Sequence, residues 1–180
     1  MFDAKTDIAI IHVDGLQGPA LQLETGVQER GTVGAALGYP GNKDGEMVVL
    51  RAAVQAQYPA TGKDIYGRTD ARREVYELRA AVRQGDSGGP FVLSDGTVAG
   101  VVFAASTTDG GIGYALTGAE VQDEINEGRT STNQVSTGTC TQVVQAGAGD
   151  LNPDEELPQV AVGLARVGEV VRLAVDRWID

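Results

Sequence analysis

The segment RQGDSGGPFV, Arg83–Val92, sets a serine among glycines and ends in a short apolar run. A serine hydroxyl is a weak nucleophile. To attack a carbonyl it needs a neighbouring base, and hydrogen-bond donors for the oxyanion that forms. Glycines beside it permit a tight turn and close approach of a substrate backbone. In such a turn the amides of Gly85 and Ser87 point at the oxyanion position. The same string satisfies G-x-S-x-G, the elbow of α/β-hydrolases, which requires a strand before the serine and a helix after it. Here Pro90-Phe91-Val92-Leu93 follows and reads as a strand entering a hairpin. The chain shows no strand–helix alternation, so the elbow is rejected. A plain surface turn is the bland alternative, and the six residues Gly85–Pro90 in an all-β pattern weigh against it.

Working outward, short apolar runs recur throughout the chain. Strands are expected near Ile8–Val13, Leu21–Leu23, Thr32–Gly38, Met47–Gln57, Glu74–Ala81, Pro90–Leu93, Thr97–Ala105 and Ile112–Leu116. Turn signals separate them, among them Asp14-Gly15, Pro40-Gly41-Asn42, Asp95-Gly96 and Asp109-Gly110-Gly111. Asp95-Gly96 supplies a positive-φ hairpin turn. Thr117 can cap a helix through about Glu127, with Glu120 completing a capping box. The pattern is all-β, closed by a helix.

Composition narrows the function. Of 180 residues, 42% are hydrophobic and 22% charged, within the range of soluble globular chains. A formal net charge of -11 argues against nucleic acid and anionic membrane surfaces, because phosphate recognition needs a basic footprint. No apolar run reaches the roughly 18–20 residues of a membrane span. The start, MFDAKTD, is unlike a signal peptide. The single cysteine, Cys140, has no partner within the chain for a disulfide. After Arg129 the chain turns rich in Thr, Ser, Gly and Gln. It then presents Val160, Leu164, Val167, Val171, Val175 and Trp178 at three- and four-residue steps, an amphipathic helix signature.

GDSGGP followed by a hairpin resembles the trypsin/chymotrypsin-like serine proteases. DIAIIHVDG from Asp7 resembles the segment bearing the catalytic aspartate in the HtrA-like branch. LGYPG, DIYGRTDARREVYELRA, RQGDSGGP, VAGVVFAAS and GYALT together resemble the actinobacterial membrane-anchored periplasmic acid-resistance proteases of the MarP type. The resemblance spans about Asp7 to Cys140. It implies Ser87 as nucleophile, Asp7 as the acid that orients the base, and Gly85 with Ser87 as oxyanion-hole amides. It places Ala81 at the base of the specificity pocket, which argues against an Arg/Lys-selecting site and for a small or apolar side chain. Phe103, Ala104 and Ala105 become the strand along which substrate backbone adds. It implies protein or peptide substrates, no cofactor and no metal. The parent is expected to be extracytoplasmic and anchored in the membrane through a segment not in this chain, with the Cys140 disulfide partner also in the absent region. In the digestive enzymes the residue matching Asp86 pairs with a newly cut N-terminus, and Met1 is no such terminus.

The family order is His, then Asp, then Ser. Only six residues precede Asp7, and the one histidine, His12, follows it. His12 alternates away from Ile11 and Val13 along its strand and is read as a surface or rim residue. The expected architecture is therefore a trypsin-like antiparallel β-barrel, the second of the family's two, with a remnant of the first. Residues 1–30 are the remnant and linker, 31–129 the second barrel with its closing helix, 130–152 a linker and 153–180 a helical tail. The expected function is serine endopeptidase chemistry, in a fragment that lacks its histidine and is inactive alone. The alternative is a non-catalytic peptide- or partner-binding module derived from such a protease. An esterase with another triad is disfavoured by the lack of a second histidine.

Overall fold

The computed structural model describes residues 1–15, 18–40, 45–131 and 133–138. The expected tail helix over 153–180 and Cys140 lie outside these residues, as does most of the expected linker. The chain begins with a small hairpin, β1 (Phe2–Asp3) and β2 (Ile8–Ala9). Six strands follow: β3 (Val33–Gly38), β4 (Val48–Lys63), β5 (Asp70–Arg79), β6 (Pro90–Leu93), β7 (Val98–Ala105) and β8 (Ile112–Thr117). They close into a barrel in the order β3-β4-β5-β8-β7-β6, with β3 pairing antiparallel to both β4 and β6. This is the all-β, trypsin-like antiparallel barrel expected from the pattern of apolar runs and turns. Helix α1 (Gly118–Thr130) closes the described fold.

Alternation along the strands sorts side chains into two cores. Tyr76, Leu78, Phe91, Val102 and Val54 fill one cluster with several alanines, and the Tyr76 and Phe91 rings meet edge-on at 6.2 Å between centroids. Residues of opposite parity, Val75, Val101, Phe103 and Leu116, pack in the second cluster with Ile8 and Ile10 from the N-terminal hairpin and Val121 and Ile125 from α1. Small residues let the strands close around the aromatic pair. Gly100 is one, since a Cβ there would strike the Leu116 carbonyl.

Two strands run further than their apolar runs. β4 and β5 extend past the barrel to pair Lys63 with Asp70. Asp64 ends the hairpin by accepting from the amides of Tyr66, Arg68 and Thr69 and from the Thr69 hydroxyl. Those donors favour the charged form and pull its carboxyl down to about 2. In this outer half of the hairpin exposed residues alternate with inward ones, but Gly62 and Arg73 hold inward positions in place of large apolar side chains, which is why periodicity alone stopped at Gln57. In contrast, the expected strand Ile8–Val13 is short. Ile10 exchanges backbone bonds with Met1, and the chain then leaves the hairpin. The expected Leu21–Leu23 strand is reduced to a parallel bridge between Leu23 and Val98.

Helix α1 begins as expected: Thr117 Oγ1 accepts from the Glu120 amide at 3.1 Å. The reciprocal half of the capping box does not form. Glu120 Oε2 instead accepts from the Glu74 amide at 2.9 Å, because the helix start packs on β5, whose main chain needs an acceptor. At the other end His12 Nε2 meets the Gly128 carbonyl at 2.5 Å. A carbonyl only accepts, so Nε2 carries the proton there. His12 satisfies one of the orphan carbonyls of the last helical turn. Thr117 is 1% exposed. Thr117→Ala is expected to cost about 1–2 kcal/mol in chemical denaturation, with Thr117→Ser near wild type; equal stability of all three would remove the cap from this account.

Candidate active site

The nucleophile candidate sits on two consecutive β-turns. Asp86 N–H donates to Arg83 C=O at 3.0 Å, and Gly89 N–H donates to Asp86 C=O at 3.1 Å. Each turn needs positive φ at its third residue, and each has glycine there, with Gly85 at 96° and Gly88 at 81°. The spacing of glycines in QGDSGG is thus a backbone requirement. The turns are then fastened to the barrel, since Gly88 N–H donates to Val102 C=O at 2.7 Å and Val102 N–H to Gly89 C=O at 2.8 Å.

Neither turn bond uses the amide of Gly85 or of Ser87. Among the described residues these two N–H groups donate to no protein acceptor. Ser87 itself is half-buried, and its Oγ donates to the Phe103 carbonyl at 3.3 Å. That carbonyl is aimed by a bulge. The β7–β8 register shifts between Val102 and Ala104, leaving Phe103 as the extra residue. On its other side β7 pairs with β6 only as far as Val101. The backbone edge of Phe103, Ala104 and Ala105 therefore runs past Ser87 without a strand beside it among the described residues, although their side chains are buried.

Asp7 is 8% exposed and closes the β1–β2 loop, its amide donating to Asp3 C=O at 3.1 Å. With φ at 67°, it is the one positive-φ residue other than glycine among the described residues. Asp tolerates this region better than most side chains, and such outliers cluster at functional sites. Ile8, next in sequence, belongs to the same core cluster as Phe103 and Ala104, which anchors Asp7 to that side of the barrel. His12 is exposed and occupied with the end of α1.

Ala81 lies exposed in the loop after β5. Its neighbour Val82 is 6% exposed and packs so closely on Gly113 that a Cβ there would strike the valine side chain. Sequence reasoning missed this pair. The β5–β8 register sets Gly113 opposite Leu78, and the loop after β5 folds Val82 onto it, a contact with no local signal in the sequence. Among the described residues no group of three His, Cys, Asp or Glu side chains is placed to hold a metal ion. No described helix is long and apolar enough to cross a membrane.

The family model described as trypsin-like peptidase domain matches residues 1–101, from the β1–β2 hairpin through the serine turn into β7. This chain belongs to the trypsin-like peptidase family. Among trypsin-like relatives, serine protease Rv3671c of Mycobacterium tuberculosis is 37% identical over 140 residues, covering 77% of this chain and 34% of its own. The magnetosome formation protease MamE of Paramagnetospirillum magneticum is 34% identical, covering 72% of this chain and 18% of its own. The chain thus spans about a third or less of these curated relatives. The active form of the M. tuberculosis Rv3671c protease superposes with a TM-score of 0.74 at 36% identity, over 79% of this chain and 62% of that one. Its inactive form gives 0.56 at 32% identity, over 67% and 66%.

Proposed function

We propose that this chain carries the nucleophile half of a serine endopeptidase. Residues 1–30 belong to the first-barrel side, 31–129 form the second barrel and its helix, and 153–180 form a helical tail. Ser87 attacks the scissile carbonyl, and the free Gly85 and Ser87 amides receive the oxyanion. The observation that carries this reading is that pair of unengaged donors on either side of Asp86, held by two type II-like turns beside a half-buried hydroxyl. Substrate backbone adds along Phe103–Ala105, the unpaired edge of β7. Asp7 orients the base. Ala81 brings no charge to select arginine or lysine, and the side chain before the cut bond is small or apolar.

The base is a histidine that this chain does not contain. His12 donates Nε2–H to Gly128 and is committed to the end of α1, so Ser87 has no imidazole to take its proton. The parent protein is extracytoplasmic and held to a membrane by a segment other than these residues, and Cys140 pairs with a cysteine of that absent part. The 180-residue chain alone is expected to remain unlabelled by a serine-directed fluorophosphonate. The chain extended to include the family's histidine-bearing segment is expected to label on Ser87. Labelling of the short chain that disappears in His12→Ala would place the base at His12 and overturn the assignment. The alternative, a non-catalytic peptide-binding module, is favoured if the extended protein binds peptides along β7 yet never labels.

A further inference from the structure

Asp86 is shared by both turns of the serine loop, ending the first and starting the second, and the proposed mechanism makes no use of its carboxyl. It is 2% exposed. Oδ2 accepts from the Arg83 amide at 2.8 Å, closing the first turn a second time. Among the described residues Oδ1 has no hydrogen-bond partner. Its chamber is tight. A Cβ on Gly38 of β3 would strike Oδ1 and would come within 2.9 Å of the Asp86 Cβ. A Cβ on Gly89 would run into the Leu37 carbonyl and come within 2.9 Å of the Asp86 carbonyl oxygen. Leu37 and Gly38 of β3 lie against the turn and Val102 of β7 is bonded to it, and none of these three titrates. Arg83, exposed in the same turn, is the charged group whose field reaches Asp86.

A carboxylate in such a place keeps one oxygen with no donor. Burying an unpaired charge costs far more than burying a neutral hydroxyl, and the group neutralises instead. We propose that Asp86 is a proton-controlled positioning residue for the serine turn. As a neutral acid it stays in the chamber, keeps the Arg83 amide on Oδ2 and holds the Gly85 and Ser87 amides free. As a carboxylate it seeks water, releases the Arg83 amide and loosens both turns around Ser87. This inference rests on the serine-turn reading but not on catalysis by this chain. Burial raises the Asp86 carboxyl above its ordinary range, outweighing the Arg83 amide and guanidinium, which lower it. The sign follows: a raised native value means that the native turn gains stability as pH falls through that value, until the ordinary carboxylate range is reached.

The test is an NMR titration of the 180-residue chain from pH 8 to pH 4, following the Asp86 carboxyl carbon and the amides of Arg83, Gly85 and Ser87. The carboxyl is expected to titrate above the ordinary value of 3.8, and the three amides to shift with the same midpoint. In Asp86→Asn, which keeps an oxygen for the Arg83 amide, the three amides are expected to stay at their low-pH positions throughout. A carboxyl midpoint at or below the ordinary value, amides that stand still through the carboxyl titration, or equal amide shifts in Asp86→Asn would each overturn the proposal. If Asp86→Asn does not fold, the wild-type carboxyl and amide titrations still decide it. Fluorophosphonate labelling of the extended protein decides the protease reading separately, and its failure leaves these resonances unaffected.

Discussion

Ser87→Ala, in the chain extended to carry the family's histidine, is expected to lower kcat by a factor on the order of 10⁶ with KM little changed. In the proposed mechanism the hydroxyl forms the bond that splits amide hydrolysis into acylation and deacylation, and its described neighbours offer no second nucleophile. Phe103 C=O beside it only accepts, and the Gly85 and Ser87 amides only donate. What survives is stabilisation by those amides and by substrate binding, roughly 10³–10⁴ over water in a complete site. Because the two turns are held by backbone bonds and positive-φ glycines, the substitution leaves the fold intact. Unchanged thermal melting alongside the lost turnover is therefore part of the expectation. A loss of less than tenfold in kcat would mean that Ser87 is not the nucleophile.

Phe91→Ala is expected to destabilise the barrel by about 3–5 kcal/mol, the range for removing a fully buried aromatic ring. Phe91 has no measurable exposure and stands edge-on to Tyr76 in the middle of the barrel. The ring is enclosed by strands too rigidly paired to collapse into the space. β6 is held by β3 on one side and β7 on the other. For a domain of this size the loss corresponds to roughly 10 °C or more in Tm. Phe91→Leu, which refills part of the volume, is expected to recover more than half of it. Denaturant midpoints that separate the two variants by less than about 0.5 kcal/mol would show that the cavity collapses, contrary to the cost expected for a rigid site.

The class of fold was legible because its signals are local. The continuous apolar run Val98–Ala105, the Asp95-Gly96 turn and the Thr117 cap each depend on residues a few positions apart, and the structure has a strand, a hairpin and a helix start there. The serine turn was legible for the same reason: both turns need a positive-φ third residue, and glycine supplies it. Strand ends were not legible where the inward positions are not apolar. The outer halves of β4 and β5 still alternate in burial, but Gly62 and Arg73 take inward places, and the pairing is held across the strands and by Asp64, so no apolar period marks it in the sequence. Contacts between distant residues were invisible altogether. Val82 against Gly113, the bulge that aims Phe103 C=O at Ser87, and His12 on Gly128 each join segments whose meeting depends on barrel closure.

The sequence by itself determined that Ser87 lies in a glycine turn of trypsin-like type and that one histidine, following Asp7, is all the chain has. Only the tertiary structure decided that this histidine is committed to the end of a helix and that, among the described residues, the Gly85 and Ser87 amides stay unengaged and buried Asp86 keeps one oxygen unpartnered. The physical reason is that residue types fix what a group is able to donate or accept. Which partner it meets, and whether water reaches it, is set when six strands close into one barrel.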